Sequence, residues 1–328
     1  MITKDLVLAI LKQADTYISG EKISEQLGIT RAAVNLAVKT LRQDGYQISS
    51  STNKGYLLEE NKDLDLLTPG ELLSLLSPER MEQVVCLDTV DSTNHYLRDL
   101  AFQGAPSGTV VVANEQTSGR GRRGRTFVSP KNTGIYFSIL FRPDCAPPEC
   151  TTITAWTAVA VERAIYQVTG VHPSIKWVND LLLNRKKICG ILTEMSVENE
   201  SGHVQHIIIG IGINANQMVS DFPEELQQIA SSIYAETGQK VSRARLTAAL
   251  IQELDKMFTD WPAANETYLA AYRNYNLTTK EDMAIVSGDK RIPITVLGIN
   301  DDFSLKVQHE DGRIEDLSSG EVSVKFQE

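Results

Sequence analysis

A seven-residue segment, GRGRRGR at residues 119–125, concentrates positive charge, with four arginines and no acidic residue. Arginine side chains form paired hydrogen bonds with phosphate and carboxylate oxygens, and glycine lets the backbone bend around an anion. The spacing also matches the dinucleotide-binding pattern GxGxxG, but that pattern needs a helix that opens at the glycines. Here Pro130 and Gly134 interrupt the chain and a strand-like run follows. We therefore predict a loop that folds over a phosphate.

Three other stretches combine polar or glycine residues with the ends of predicted strands. They are KWVND at residues 176–180, KKICGILTE at residues 186–194 and GIGINAN at residues 210–216. Trp177 on a strand is more often a core residue than a ligand contact, and an Asn-Asp pair also suits a simple hairpin turn. The alternating glycines of the last stretch open the backbone to close approach. Each stretch alone is compatible with ordinary structure, so the site is predicted from their combination.

The first of three regions, residues 1–60, has the pattern of a winged helix-turn-helix. Two short helices precede a third that begins after Thr30, and residues 46–58 predict a hairpin. We assign DNA contacts to the outward face of the third helix and to the hairpin tip, at Arg31, Asn35, Lys39, Arg42 and Lys54. A protein-interaction module built from the same elements is the alternative.

The rest of the chain has the pattern of an α+β protein, and we predict a multidomain α+β fold. Residues 61–80 are acidic and interrupted by proline, as in a linker with one helical segment. Residues 81–277 contain strands that follow one another without room for crossover helices, so we expect a mixed or largely antiparallel sheet. Residues 278–328 alternate short strands with turns, which fits a small five-stranded barrel or sandwich, and we expect an SH3-like β-barrel.

The composition limits the classes of function. The 328 residues carry a net charge of −10, so the chain as a whole is no generic polyanion binder, although residues 20–56 contain five basic and three acidic residues. Four cysteines without a CxxC pair argue against a disulfide framework or a zinc ribbon. The first thirteen residues are too few and too polar for a signal peptide or a membrane span. We expect a cytoplasmic protein without a membrane partner.

Together, the motifs resemble the biotin protein ligase family. The matching residues are Asp91-Ser92-Thr93-Asn94, Glu115-Gln116, GRGRRGR, Ser129-Pro130, KWVND, KKICGILTE and GIGINAN. With a winged helix before them and a small barrel after them, the layout is similar to bifunctional members that attach biotin and repress biotin genes. Two positions depart from the family pattern: Val178 replaces a usual proline, and Phe127 replaces a frequent tryptophan. If the ring stacks on adenine, phenylalanine offers less area.

The resemblance implies a role for each motif residue. Biotin would be bound by Ser92, Thr93, Gln116, Gly119, Arg120, Arg122, Lys187 and Gly190. The nucleotide would lie near Arg122, Arg125, Phe127, Asn179 and Asn214. The implied catalytic residues are Arg122, Lys187 and Asp180, of which the two cations would hold the biotin carboxylate against the α-phosphate of ATP. Asp180 would either position Mg²⁺ or assist deprotonation of the incoming lysine, and no other metal site is implied.

The implied reaction has two steps and needs no tightly bound prosthetic group. Biotin and ATP, the latter with Mg²⁺, give biotinyl-5′-AMP, and a lysine of a biotin carboxyl-carrier domain of a carboxylase then takes the biotin. Operator DNA is the other implied partner, bound by a homodimer that forms when biotinyl-5′-AMP is bound. Two alternatives are a lipoate–protein ligase and a DNA-binding sensor without catalysis. The motifs GRGRRGR and KWVND favour biotin over lipoate as the substrate. Retention of Arg122, Lys187 and Asp180 argues against the sensor.

Overall fold

The computed structural model describes residues 2–61, 63–198, 200–278, 283–287, 290–318, 320 and 322–324. These residues form two compact units. The first contains residues 1–86 and 242–248, and the second contains residues 87–241 and 249–328.

The first unit begins with the predicted winged helix-turn-helix. Its elements are α1 (Thr3–Gln13), α2 (Gly20–Leu27), α3 (Arg31–Gln43), β1 (Ile48–Ser51) and β2 (Gly55–Leu58). Helix α3 begins where the sequence predicts, because the Thr30 hydroxyl accepts a hydrogen bond from the Ala33 backbone N–H at 3.2 Å. The apolar residues of α3 that recur at helical spacing are buried, with Val34 and Leu41 at most 1% exposed. The opposite face of the helix is thereby turned to solvent.

Residues 61–80, which the sequence predicts as a linker, fold with the first unit. They contain α4 (Pro69–Leu73) and the start of α5 (Pro78–Met81), and the strand β3 (Val84–Leu87) follows. Leu67, Leu72 and Leu76 are buried. A helix of one turn is too short to give a hydrophobic period, so the sequence of this segment resembles a linker although its leucines enter a core.

The second unit is built on a sheet with the strand order β3-β4-β5-β9-β8-β7-β6. Leu87, at the end of β3, is hydrogen-bonded to the neighbouring part of this sheet. Its strands are β4 (Val110–Ala113), β5 (Ile135–Phe141), β6 (Ser174–Lys176), β7 (Asp180–Leu183), β8 (Lys186–Val197) and β9 (Val204–Ile213). All neighbouring strands in the series β4-β5-β9-β8-β7-β6 pair antiparallel, as predicted. The helices are α6 (Thr93–Phe102), α7 (Ile153–Thr169), α8 (Ile233–Thr237), α9 (Arg243–Asp260, whose first turn belongs to the first unit) and α10 (Asn265–Tyr275).

The C-terminal region contains five antiparallel strands, in agreement with the predicted number. They are β10 (Met283–Ser287), β11 (Lys290–Ile299), β12 (Leu305–His309), β13 (Ile314–Leu317) and β14 (Val322–Val324), in the sheet order β13-β12-β11-β10-β14. The predicted C-terminal region extends over residues 278–328, of which 279–282, 288, 289, 319, 321 and 325–328 lie outside the described residues. Trp177 of the second unit donates its indole N–H to the Phe303 carbonyl of this region at 2.9 Å.

The sequence argues against a disulfide framework and against a membrane span at the start of the chain, and the cysteines and helices of the structure can be compared with both expectations. Cys145 and Cys150 form one local disulfide, whereas Cys86 and Cys189 are free thiols, so the structure contains a single bridge and no framework. Cys189 is fully buried, and burial raises the pKa of its thiol, so it behaves as a small core residue. Within the described ranges, no helix has the length and hydropathy needed to cross a membrane.

Asp65 holds the buried guanidinium of Arg243 and should be important for the stability of the first unit. Arg243 is 0% exposed, and its Nε lies 2.7 Å from Asp65 Oδ2. We predict that Asp65→Asn lowers the free energy of unfolding of this unit by about 3 kcal/mol, because the buried guanidinium loses its contacts with a carboxylate. Thermal unfolding followed by circular dichroism measures the loss. Asp63→Asn, at a nearby exposed position, is the control, and equal melting temperatures for the two variants would contradict the prediction.

Candidate active site and nucleic-acid interface

A cleft of about 470 Å³, including space open to solvent, lies in the second unit. It is formed by the start of α6, the 119–125 loop with its flanks, and strands β5, β8 and β9. Its lining residues are Ser92, Thr93, Asn94, Gln116, Arg120, Gly121, Arg122, Phe127, Phe137, Asn179, Lys187, Gly190, Ile191, Leu192, Gly210, Ile211 and Gly212. The motifs separated in sequence therefore contribute to one cavity.

One group of pocket residues is neutral, buried and tightly hydrogen-bonded. Ser92 and Thr93, at the start of α6, are each 3% exposed. Gln116 Oε1 accepts from the Thr93 backbone N–H at 2.9 Å, and Gln116 Nε2 donates to Ser129 Oγ at 3.0 Å. These contacts fix the amide of Gln116, since each of its ends has a defined partner. The group suits a ligand that carries both hydrogen-bond donors and acceptors.

A second group places two cations beside a carboxylate and an amide. Arg122 Nη1 donates to Asn179 Oδ1 at 2.8 Å, and Asn179 Nδ2 donates to Asp180 Oδ1 at 3.1 Å. The same Asp180 oxygen lies 2.7 Å from Lys187 Nζ. The β7–β8 hairpin, in which Asp180 pairs with Gly190, brings these residues together. Arg122 and Lys187 are thus linked through the Asn179 amide and the Asp180 carboxylate.

The Phe127 ring lies against a part of the sheet that has no side chains. Gly190 of β8 and Gly212 of β9 are directly opposite each other. A Cβ atom at Gly212 would lie 2.5 Å from the ring, and one at Gly190 would lie 3.5 Å from it. The alternating glycines predicted to permit close approach therefore do so, and the group that approaches Gly212 is Phe127 itself.

Two residues assigned to the nucleotide from sequence do not line the cleft. Asn214 is 4% exposed, and its Nδ2 donates to the Ser231 carbonyl at 2.9 Å. The Arg125 side chain is exposed, while its carbonyl accepts from the Gly121 N–H at 2.7 Å. Gly119 also lies outside the lining, but a Cβ there would lie 2.7 Å from Ser129 Oγ, so the glycine permits the close packing of the loop.

Sequence reasoning did not assign several residues that the cleft contains. Asn94 lies within the quoted Asp-Ser-Thr-Asn motif but received no role, although its side chain is buried beside Thr93. The apolar lining residues Phe137, Ile191, Leu192 and Ile211 belong to strands whose sequence patterns are those of any buried strand. The direction in which such a side chain points depends on register and pairing, so no motif identifies them.

Helix α3 presents the face predicted to contact DNA. Some of its side chains are exposed, and others are hydrogen-bonded to the hairpin. Arg31 and Lys39 are exposed. Arg42 instead donates to the Ile48 carbonyl and to Ser50 Oγ of β1, and Asn35 accepts from the Tyr56 hydroxyl of β2. Two of the predicted contact residues thus also brace the hairpin against the helix.

An exposed leucine and the lysine at the hairpin tip also belong to the face predicted to contact DNA. Leu36, which sequence reasoning did not assign, is 65% exposed on the outward side of α3. Lys54 at the hairpin tip lies 6.0 Å from the centre of the Tyr17 ring, at the outer limit of a cation–π contact. No acidic residue occurs in α3, so the face can approach the phosphates of DNA.

Known proteins match both the region that forms the cleft and the winged helix-turn-helix. Residues 86–214 match the Biotin/lipoate A/B protein ligase family, and residues 3–57 match an HTH domain. The bifunctional ligase/repressor BirA of Bacillus subtilis is 35% identical over 325 residues, which cover 98% of each chain. BirA of Escherichia coli is 30% identical over 325 residues, covering 98% of this chain and 97% of the relative.

A solved structure extends the agreement to the fold. Biotin protein ligase from Aquifex aeolicus, in complex with biotin and ATP, is 27% identical, with a TM-score of 0.62, and the match covers 74% of this chain and 99% of that one. The matches to BirA extend over nearly the whole chain, including both the winged helix-turn-helix and the cleft. The chain therefore belongs to the family of bifunctional biotin ligases and repressors.

Proposed function

We propose that this protein activates biotin with ATP to biotinyl-5′-AMP, transfers biotin to a lysine of carboxylase carrier domains, and represses transcription with the adenylate as corepressor. The observation that carries the ligase assignment is the presence of two kinds of polar group in one cleft. A neutral, buried group surrounds Thr93 and Gln116, and a cationic group contains Arg122 and Lys187. Biotin has a neutral polar head and an anionic tail, which correspond to these two groups.

The neutral group accounts for binding of the biotin head. A cyclic urea has two N–H donors and a carbonyl acceptor, and each loses free energy if it is buried without a partner. Ser92, Thr93 and Gln116 supply hydroxyl and amide groups, while Phe137, Ile191 and Leu192 supply apolar surface for the rest of the ring system. We assign backbone contacts in the same region to Gly119, Arg120 and Gly190.

The cationic group accounts for the chemistry of the first step. A biotin carboxylate oxygen attacks the α-phosphorus of ATP, the bond to the bridging oxygen breaks, and pyrophosphate leaves. The two reacting groups are both anions, so Arg122 and Lys187 would stabilise their approach and the charge of the transition state. Mg²⁺ enters as part of the ATP substrate. Asp180 is our candidate to contact it, and the same carboxylate also pairs with Lys187.

In the second step, the lysine amine of the acceptor attacks the acyl carbon of biotinyl-5′-AMP, loses a proton and releases AMP. The mixed anhydride is already activated, so orientation of the amine supplies most of what is needed. We retain Asp180 as a candidate to assist the loss of the proton. Phe127 and Asn179 line the cleft and are our candidates to contact the nucleotide, and Arg125 and Asn214 would need to move to reach it.

The winged helix accounts for repression. Helix α3 exposes Arg31 and Lys39, and a recognition helix of this kind enters the major groove. A single module with two free cations on this face should bind DNA weakly, whereas a homodimer binds two half-sites at once. We place the protein in the cytoplasm, where carrier domains and operator DNA are both available.

One assay tests the ligase assignment against its two alternatives. Purified protein is incubated with MgATP and either biotin, lipoate or no acid, and pyrophosphate release is measured. Release that requires biotin supports the proposal. Release with lipoate alone would instead indicate a lipoate ligase, and tight biotin binding without release would indicate a sensor that lacks catalysis.

Lys187→Ala is expected to lower biotin-dependent pyrophosphate release by about a hundredfold or more, because two facing anions lose a cation. Lys186→Ala removes the same charge from a residue that does not line the cleft, and it should leave the rate within about twofold of wild type. Circular dichroism confirms that both variants are folded. Equal rates for the Lys187 variant and wild type would remove Lys187 from the catalytic residues.

Lys39→Ala is expected to weaken DNA binding and to reduce the slope of log K against log salt by about one, as expected for loss of one phosphate contact. The DNA is a duplex selected by the wild-type protein from a random pool. Pyrophosphate release should not change. Lys240→Ala, which makes the same change in net charge at an exposed position of the other unit, controls for charge, and an unchanged salt slope in Lys39→Ala would contradict the assignment.

A non-hydrolysable adenylate analogue is expected to promote both dimerisation and DNA binding. The 119–125 loop exposes Arg123 and Arg125, and pairing of its arginines with a phosphate should order it and create a surface for a second copy. Sedimentation velocity and DNA binding are measured with and without the analogue. If neither the mass nor the affinity changes, the corepressor assignment is incorrect and the ligase assignment is unaffected.

A further inference from the structure

The outward face of helix α3 has a leucine at its centre. Leu36 is 65% exposed, whereas the other large apolar residues of the helix are at most 1% exposed. It lies two residues from both Val34 and Val38, which puts it about 160° from each around the helix axis. Leu36 therefore points away from the core of the first unit, in the middle of the face predicted to contact DNA.

The positions next to Leu36 along the helix axis add little polar surface. Residues four apart on a helix are offset by only about 40°, so Ala32 and Thr40 flank Leu36 on this face. Ala32 is exposed and has no polar side-chain group. The Thr40 hydroxyl donates to the Leu36 carbonyl at 3.0 Å, so its proton is already used within the helix. The centre of the face is thus an apolar strip.

The polar side chains at the edge of this strip are directed to the hairpin. The Asn35 amide oxygen accepts a hydrogen bond from the Tyr56 hydroxyl. Arg42 donates to the Ile48 carbonyl and to Ser50 Oγ. A side chain that reads a base must direct its donors and acceptors to the edge of that base. Asn35 and Arg42 are therefore occupied with the hairpin, and Leu36 is the side chain at the centre of the face.

DNA is the partner that fits this helix. Residues 3–57 match an HTH domain, and the second helix of that motif lies in the major groove. Helix α3 contains no acidic residue, and Arg31 and Lys39 are exposed before and after Leu36. These two cations can contact phosphates, which fix the position of a helix on the duplex. A leucine at the centre of such a helix then faces the edges of the bases.

We infer that Leu36 selects thymine in the operator by contact with its 5-methyl group. The major groove presents this methyl group as an apolar contact, and its other features are hydrogen-bond donors and acceptors. Leucine over the methyl group buries apolar surface of both partners, whereas leucine over a donor or acceptor displaces the water bonded to it. The inference rests on the repression proposed above and adds to it the identity of a base in each half-site.

Replacement of thymine by deoxyuridine tests this contact, because it removes the methyl group and keeps the hydrogen-bonding groups of the base. The duplex is one that the full-length wild-type protein selects from a random pool in the presence of biotin and MgATP. Each thymine is replaced in turn, and Kd is measured by fluorescence anisotropy. At least one replacement in each half-site should weaken wild-type binding about fourfold, as expected for loss of one buried methyl group.

Leu36→Ala removes the other partner of the contact, and alanine is well tolerated at an exposed helix position. The variant should bind the selected duplex more weakly than wild type. At the sensitive positions, deoxyuridine should change its Kd by less than about 1.5-fold, because the methyl group no longer has a partner. The slope of log K against log salt should not change, since no phosphate contact is lost.

Leu297→Ala is the matched control. It makes the same substitution at an exposed leucine of the second unit and should keep both the affinity and the deoxyuridine sensitivity of wild type. Melting temperatures show whether the two variants remain folded. A second selection, with Leu36→Ala and the same random pool, should yield duplexes in which thymine is no longer enriched at the sensitive positions.

The outcomes distinguish this inference from the function on which it rests. If wild type enriches no duplex from the pool, the proposed repression is incorrect and the thymine contact is incorrect with it. If wild type binds a selected duplex but tolerates deoxyuridine at every position, only the thymine contact is incorrect. The contact is also overturned if Leu36→Ala keeps the wild-type sensitivity to deoxyuridine, since Leu36 would then act on another partner, such as a second copy of the chain.

Discussion

The cleft depends on a patch of the central sheet that carries no side chains. Gly190 faces Gly212 across β8 and β9, and Gly210 lies on the same face of β9 as Gly212. The Phe127 ring and the Asn94 amide occupy the space that side chains at Gly212 and Gly210 would otherwise fill. Because a sheet of ordinary residues presents a continuous layer of side chains, the Phe127 ring and the Asn94 amide, which both line the cleft, can pack against this sheet only where that layer is interrupted.

Each polar group around this patch is held in place by another residue of the chain. Asn179 accepts a hydrogen bond from Arg122, and the Asp180 carboxylate pairs with Lys187. Glu194 orients the buried amide of Asn94 at the neutral end. Contacts within the chain therefore fix the positions of the polar groups that line the cleft.

In the winged helix-turn-helix, too, polar side chains of the functional face are held by other residues of the chain. Arg42 and Asn35 lie on the helix face that would approach DNA, but each also binds the hairpin. Their hydrogen bonds fix the position of the hairpin relative to α3, while Arg31 and Lys39 are exposed. Rigid spacing between helix and hairpin limits how the unit can dock, so these side chains contribute to DNA binding through geometry as well as through charge.

The sequence alone predicted the helices of the winged domain, strands β4 to β9 of the central sheet and many of the residues that line the cleft, because helical periodicity, capping at Thr30 and clustered motifs are local signals. Only the tertiary structure decided which polar residues reach the cleft. It places the side chain of Asn214 on the Ser231 carbonyl, and it connects Glu194, a residue of an ordinary-looking strand, to Thr93 through Asn94 and Ser138. The physical reason is that hydrogen-bond partners across a sheet are set by strand register and helix docking, and neither is encoded in the spacing of a short motif.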